Sequence, residues 1–152
     1  DGQITSDHGF DLAADAPRLR PLIAELKACG ARVSLFMDAG VSGIERAAEL
    51  GAGRVELYTG PYAAAFARGD CSRELEACVV SAAAARGAGL GVNAGHDLNR
   101  DNLATFVRGV PGLLEVSIGH ALIADALELG YAATVQAYLG CIAAGLAGAE
   151  DS

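Results

Sequence analysis

An α/β fold built around a parallel sheet is what this sequence predicts, on three observations. Strand-like apolar runs beginning at residues 32, 54, 90 and 114 alternate strictly with helical patterns. Such alternation marks repeated βα units, because parallel neighbours need a crossover that a helix supplies. The strands also have two unlike faces. One parity reads Val33, Leu35, Met37; Val55, Leu57; Leu90, Val92; Leu114, Val116, Ile118, and the other reads Ser34, Phe36, Asp38; Glu56, Tyr58; Gly91, Asn93; Glu115, Ser117. A doubly wound sheet is covered by helices on both sides and is apolar on both parities. A polar, acidic second face suits the inside of a closed (β/α)8 TIM barrel, whose inward side chains grade into the active site at the C-terminal mouth. Thirdly, Gly95-His96 and Gly119-His120 each follow a strand and open onto an Ala/Leu-rich helical pattern. About four βα units plus closing helices make roughly half a barrel. Residues 1–152 are therefore expected to be the C-terminal portion of a single barrel domain, with the N-terminal portion absent or supplied by a partner.

The elements follow in order. Asp15-Ala16-Pro17 reads as a helix start with Pro17 in the first turn, and the helix runs to Cys29 and stops at Gly30. Pro21, one turn further in, favours a later start. Arg32–Met37 is the first strand, and Asp38 is expected to cap the turn Asp38-Ala39-Gly40. Ile44–Leu50 is a short helix closed by Gly51, and Arg54–Tyr58 is the second strand, ended by Thr59-Gly60-Pro61. A helical region from Tyr62 breaks near Gly69-Asp70 and resumes over Ser72–Arg86. Leu90–Asn93 is the third strand, which places His96 three residues beyond it. Leu103–Val107 is a helix with Asp101 as N-cap. Leu114–Ile118 is the fourth strand, and Ala121–Leu129 and Tyr131–Leu146 close the chain.

Composition excludes several classes of function. The 152 residues suit one domain, and with 52% apolar content they hold ample core material. The longest apolar stretches are broken well short of the ~20 residues that span a bilayer, so no membrane partner is expected. No basic n-region with an apolar h-region stands at the front. The chain starts on a polar segment without Met and reads as part of something longer. With 11 basic against 19 acidic side chains and no Lys/Arg cluster, the surface repels nucleic acid. Cys29, Cys71, Cys78 and Cys141 lack zinc-site spacing and read as buried or half-buried thiols of a reducing cytoplasm.

The strand ends carry the chemistry. His96, with an ordinary pKa of about 6.5 for its residue type, suits proton exchange near neutrality. Gly119-His120 opens a helix, where free N–H groups and the helix dipole make an anion site. In βα barrels a phosphate commonly sits between the loops after the last two strands, the positions these two turns occupy if the chain ends a barrel. Glu56 lies within a strand on the polar parity, where an acid needs a partner such as Arg or the substrate. Glu115 is read as part of a structural polar network below the site, and His8 as an exposed loop residue. His96, His120 and Glu56 lack an H-x-x-H or H-E-x-x-H pattern, so an anion site is preferred to a metal, and no cofactor is expected. Gly87, Gly89 and Gly91 precede or enter a strand, whereas the dinucleotide fingerprint follows one.

Four segments carry a family resemblance: Val33-Ser34-Leu35-Phe36-Met37-Asp38, Val55-Glu56-Leu57-Tyr58-Thr59-Gly60, Val92-Asn93-Ala94-Gly95-His96-Asp97-Leu98 and Ser117-Ile118-Gly119-His120-Ala121-Leu122-Ile123. In order and spacing they resemble the pyridoxine 5'-phosphate synthase family, from about Thr5 to about Leu139. The resemblance implies a βα barrel, a homo-octamer in the bacterial cytoplasm, and condensation of 3-amino-2-oxopropyl phosphate with 1-deoxy-D-xylulose 5-phosphate. The products are pyridoxine 5'-phosphate, phosphate and water. By motif, His96 resembles the family's proton donor and Glu56 the strand glutamate that stabilises the transition state. The backbone at Asp97 and the pair Gly119-His120 resemble the aminoketone-phosphate site, and Thr5 resembles the threonine that contacts the deoxyxylulose phosphate. Some members have glycine in place of Asp97, so contact there is expected through the backbone N–H. The Asn-x-Asp-His segment, further basic phosphate ligands, and the catalytic histidine and glutamate of the family's N-terminal half are not in this chain. The sequence alone leaves two other readings open. One is a different phosphate-binding barrel, an isomerase or aldolase, though the only lysine, Lys27, lies on a helix away from the strand ends. The other is a non-catalytic half-barrel that binds phosphometabolites.

Overall fold

The computed structural model describes residues 6–149. The expected start of the first helix is corrected: α1 spans Leu12–Ala28 with Asp11 as its N-cap. The Asp11 side chain accepts from the backbone N–H of Ala13 at 2.9 Å and of Ala14 at 3.3 Å, satisfying two of the donors a helix start leaves free. Pro17 and Pro21 both lie inside the helix. They stand four residues apart on its exposed side, where water replaces the donors they lack. The chain continues through β1 (Ser34–Asp38), α2 (Arg46–Glu49), β2 (Arg54–Tyr58), α3 (Gly60–Ala67) and α4 (Ser72–Gly87). It ends with β3 (Gly91–Gly95), α5 (Leu103–Gly109), β4 (Leu113–Ser117), α6 (His120–Leu129) and α7 (Tyr131–Ala147).

The strands form one parallel sheet in the order β1-β2-β3-β4. Parallel pairing brings all four C-terminal ends to one edge, so the loops after the strands are neighbours. The apolar parity is buried as expected for the first three strands: Leu35, Met37, Val55, Leu57, Val92 and Ala94 pack with Ile23, Ile44, Tyr62, Ala82, Leu103 and Phe106 of the helices. Removing such a Leu or Val side chain from water contributes about 1.5–3 kcal/mol. The opposite face carries Ser34, Phe36, Arg54, Glu56 and Tyr58, all exposed or half-buried, together with buried Asn93 and Gly95.

The fourth strand departs from its expected parity. Val92 pairs with Leu113 and Asn93 with Glu115, a bulge that leaves Leu114 without a partner. Its side chain swings to the polar face, over Gly91, where a Cβ would meet Leu114 Cδ1 at 2.9 Å. Leu114 is therefore 58% exposed instead of lying under the helices. Three smaller expectations are also corrected. Asp38 accepts from Gly9 N at 2.9 Å, tying down the loop before α1 instead of capping its own turn. Asn102, not Asp101, is the N-cap of α5, because Asn102 is drawn into the preceding loop by its side-chain bonds. Cys29 is exposed at the end of α1, whereas Cys78 is buried and Cys71 and Cys141 are half-buried; none of the four is in a disulfide. No helix among the described residues is long and apolar enough to cross a membrane.

Candidate active site

The polar face of the sheet divides into two levels. Lower down, Arg54 Nη1 donates to Asn93 Oδ1 at 2.8 Å and lies 2.8 Å from Glu115 Oε1. Asn93 Nδ2 donates to Glu115 Oε2 at 3.2 Å, and Arg32 reaches the same carboxylate at 3.0 Å. Glu115 thus belongs to a polar network that crosslinks three strands. Glu56 stands apart from it. Among the described residues its carboxylate forms no hydrogen bond, since the nearby Arg54 is committed to Asn93 and Glu115. Its Oε1 instead lies against Cα of Gly95, in the space that a side chain on Gly95 would occupy.

Above this level the chain turns sharply. β3 extends through Gly95, so His96 is the next residue after the strand and not the third. His96 and Asp97 have φ of +93° and +58°, consecutive left-handed positions without glycine. Each such residue costs on the order of 1–3 kcal/mol and persists only where its surroundings over-determine it. Those surroundings are explicit. Thr59 N donates to Gly95 O at 2.9 Å, Thr59 Oγ1 donates to His96 O at 2.5 Å, and Asn102 Nδ2 donates to Asp97 O at 3.2 Å. The Tyr58 ring meets the imidazole edge to face, with centroids 5.0 Å apart. Tyr58 holds its proton more firmly than an ordinary tyrosine, first because of burial and then because of Asp97, Asp7 and Asp38 nearby.

Asp97 Oδ2 lies 2.9 Å from His96 Nδ1. The contact suits an ion pair when the ring is protonated but lacks hydrogen-bond alignment, and Nδ1 is buried without a hydrogen-bond partner. The Asp97 carboxylate is turned toward the imidazole.

Gly119 is the N-cap of α6 and no side chain caps that helix. A Cβ on Gly119 would meet nothing, so the bare backbone faces open space. The free N–H groups and the dipole of this terminus favour an anion by about 0.3–1 kcal/mol at an exposed site. His96, Asp97, Gly119 and His120 line one open cleft of about 780 Å³, with Ser117 and Asn99 between them. Arg100, on the loop after β3, forms a bidentate pair with Asp125 of α6 at 3.0 and 3.2 Å, and Tyr138 Oη donates to the same carboxylate at 3.0 Å. This clamp fixes the His96 loop relative to the α6 terminus.

The structure therefore brings together His96, Asp97, Gly119 and His120, with Glu56 directly beneath. Thr5 lies outside the described residues. His8 is exposed and pairs with Asp7 at 2.7 Å. Lys27 is beside Gly51, ahead of β2 and at the opposite end of the sheet. Among the described residues no three His, Cys, Asp or Glu side chains converge to hold a metal ion. A second groove, lined by Val110, Leu113, Leu114, Ile142 and Leu146 beside β4, is largely apolar and its one carboxylate is Glu115. Sequence reasoning missed Thr59, Asn102 and the Arg100–Asp125 pair. The Thr directly after a strand was the one local signal among them.

Comparison with known proteins gives the family. Residues 1–144 match the family model of the pyridoxal phosphate biosynthesis protein PdxJ. The pyridoxine 5'-phosphate synthase of Albidiferax ferrireducens is 63% identical over 145 residues, 95% of this chain and 58% of that protein. That of Xanthomonas campestris pv. campestris strain B100 is 58% identical over 95% of this chain and 57% of its own length. That of Xanthomonas oryzae pv. oryzae strain MAFF 311018 is 56% identical over 98% of this chain and 58% of its own. The chain spans 57% to 58% of the length of these relatives. With the strand-end histidine, the open helix terminus and the strand glutamate in one place, the chain belongs to the PdxJ family of pyridoxal phosphate biosynthesis proteins.

Proposed function

We propose that this chain supplies the proton-donor and phosphate-binding side of a pyridoxine 5'-phosphate synthase active site, within the C-terminal half of a (β/α)8 barrel. The observation that carries the reading is the shared cleft, with the His96-Asp97 turn on one wall and the uncapped Gly119-His120 terminus on the other. The reaction condenses 3-amino-2-oxopropyl phosphate with 1-deoxy-D-xylulose 5-phosphate through imine formation, dehydration and ring closure, releasing phosphate and water. In this reading the N–H groups of Asp97, Gly119 and His120 hold the aminoketone phosphate. His96 donates a proton to a departing oxygen, a step for which a positioned acid contributes about 10²–10⁴ in rate. Glu56, free of any cation among the described residues, stabilises positive charge that develops on the imine nitrogen. Thr5 contacts the deoxyxylulose phosphate. Soluble cytoplasmic location and a homo-octamer belong to the same proposal. Both phosphate substrates are small molecules, and Lys27, the one lysine of these 152 residues, lies beside Gly51 and away from the cleft.

His96→Ala in the complete protein is expected to lower kcat by at least about a hundredfold while inorganic phosphate still binds. Undiminished formation of pyridoxine 5'-phosphate by that variant would remove His96 from the chemistry. The second reading, a half-barrel that binds phosphometabolites without turnover, draws on the chain's partial span of its relatives. Incubating the complete protein with both substrates separates the two. Formation of pyridoxine 5'-phosphate excludes the binding-only reading, and phosphate binding without product excludes the synthase reading.

A further inference from the structure

Thr59 stands at the N-cap position of α3, where a threonine hydroxyl ordinarily caps its own helix, yet it makes no such bond. Its hydroxyl reaches instead to the neighbouring strand's loop and donates to the carbonyl of His96. Its N–H takes the carbonyl of Gly95 at 2.9 Å. The residue is completely buried, so water does not compete for either bond. The two carbonyls it holds belong to the peptides on either side of His96, the first of the left-handed pair His96-Asp97. Asn102, 1% exposed, grips the next carbonyl along. The three bonds fix successive peptides of the turn, and the turn sets where the imidazole stands.

We propose that Thr59 is a positioning residue for His96: its diverted cap hydroxyl holds the strained turn so that the imidazole enters the cleft facing the Gly119-His120 terminus. The proposal rests on the role assigned above to His96. A hydroxyl this deeply buried acts on the reaction only through the turn, because it does not line the cleft.

The test uses the complete enzyme and three substitutions. Thr59→Val removes the hydroxyl at nearly constant shape, Thr59→Ser retains it, and His96→Gln removes the acid. Thr59→Val is expected to lower kcat about 10- to 100-fold with KM for both substrates within about threefold, a split that marks loss of transition-state alignment alone. Thr59→Ser is expected to keep kcat within about threefold of wild type. In the His96→Gln background, Thr59→Val is expected to cause no further loss of kcat, since the two residues then act as one unit. If Thr59→Val does not fold, Thr59→Ala takes its place. Equal loss in the Ser variant and the hydroxyl-free variant, or full additivity with His96→Gln, overturns the proposal. Full activity of His96→Gln itself overturns the reading of His96 instead, so the two failures are distinguishable.

Discussion

Gly95 shows how one missing side chain shapes the site. A Cβ there would fall on the carboxylate of Glu56 and come within 2.8 Å of Ser117 Cβ. Gly95→Ala is therefore expected to push Glu56 aside and lower kcat of the complete enzyme by at least about tenfold, with a stability loss of about 1–3 kcal/mol typical of overpacking. Steady-state kinetics beside a thermal melt would check it; wild-type kcat in a folded Ala variant would show that Glu56 need not sit where it does. At this scale the sequence was a good guide to residue type. His96, Gly119, His120 and Glu56 were legible from strand-end position and parity alone. Thr59 and Asn102 were not, because their partners lie 37 and 5 residues away along the chain and such bonds leave no local periodicity.

At the level of elements, α4 makes its contribution through burial. Cys78 sits on its inner face, 1% exposed, and burial pushes the thiol from 9.0 up to about 12. Because the folded state holds this proton more tightly than the unfolded chain, its contribution is complete below about pH 9 and is lost as pH rises from there toward 12. Between these limits one such group weakens folding by about 1.4 kcal/mol per pH unit. Cys78→Ala is expected to flatten the alkaline fall by nearly that amount between about pH 10 and 11, measured by urea unfolding against wild type. An unchanged slope would place the proton linkage elsewhere. Element existence was legible from the alternation of apolar runs with helical patterns. The misjudged boundaries share a cause: each is set by a hydrogen-bond partner that the local apolar pattern does not show. Asp11 starts α1 four residues early, Asn102 displaces Asp101 as cap, and β3 runs on to Gly95 because β4 pairs with it up to that residue.

For the whole molecule, the contrast between covered and uncovered surface is the main feature. No residue of α6 is buried, and Ile123, Leu127 and Tyr131 are 56%, 85% and 69% exposed. Among the described residues β1 and β4 each have a neighbour on one side only, and the face bearing Leu114 lies open. Exposed apolar area and unpaired strand edges drive association. The 152-residue chain by itself is expected to self-associate at micromolar concentration, more strongly as salt screens its net charge of −8. Light scattering coupled to size exclusion would check this, and a monodisperse monomer at both low and high salt would refute it. By itself the sequence determined the α/β class, the parallel sheet, the two-faced strands and the placing of a histidine turn beside a glycine-led helix start. These follow from periodicity and from what each residue type does near its own position in the chain. The tertiary structure alone decided that Leu114 leaves the core at a bulge, that Arg54 serves Glu115 and not Glu56, and that Thr59 holds His96. Each of these is settled by which strand or loop lies alongside, and contacts between chain-distant residues are chosen by packing and register after the elements have formed.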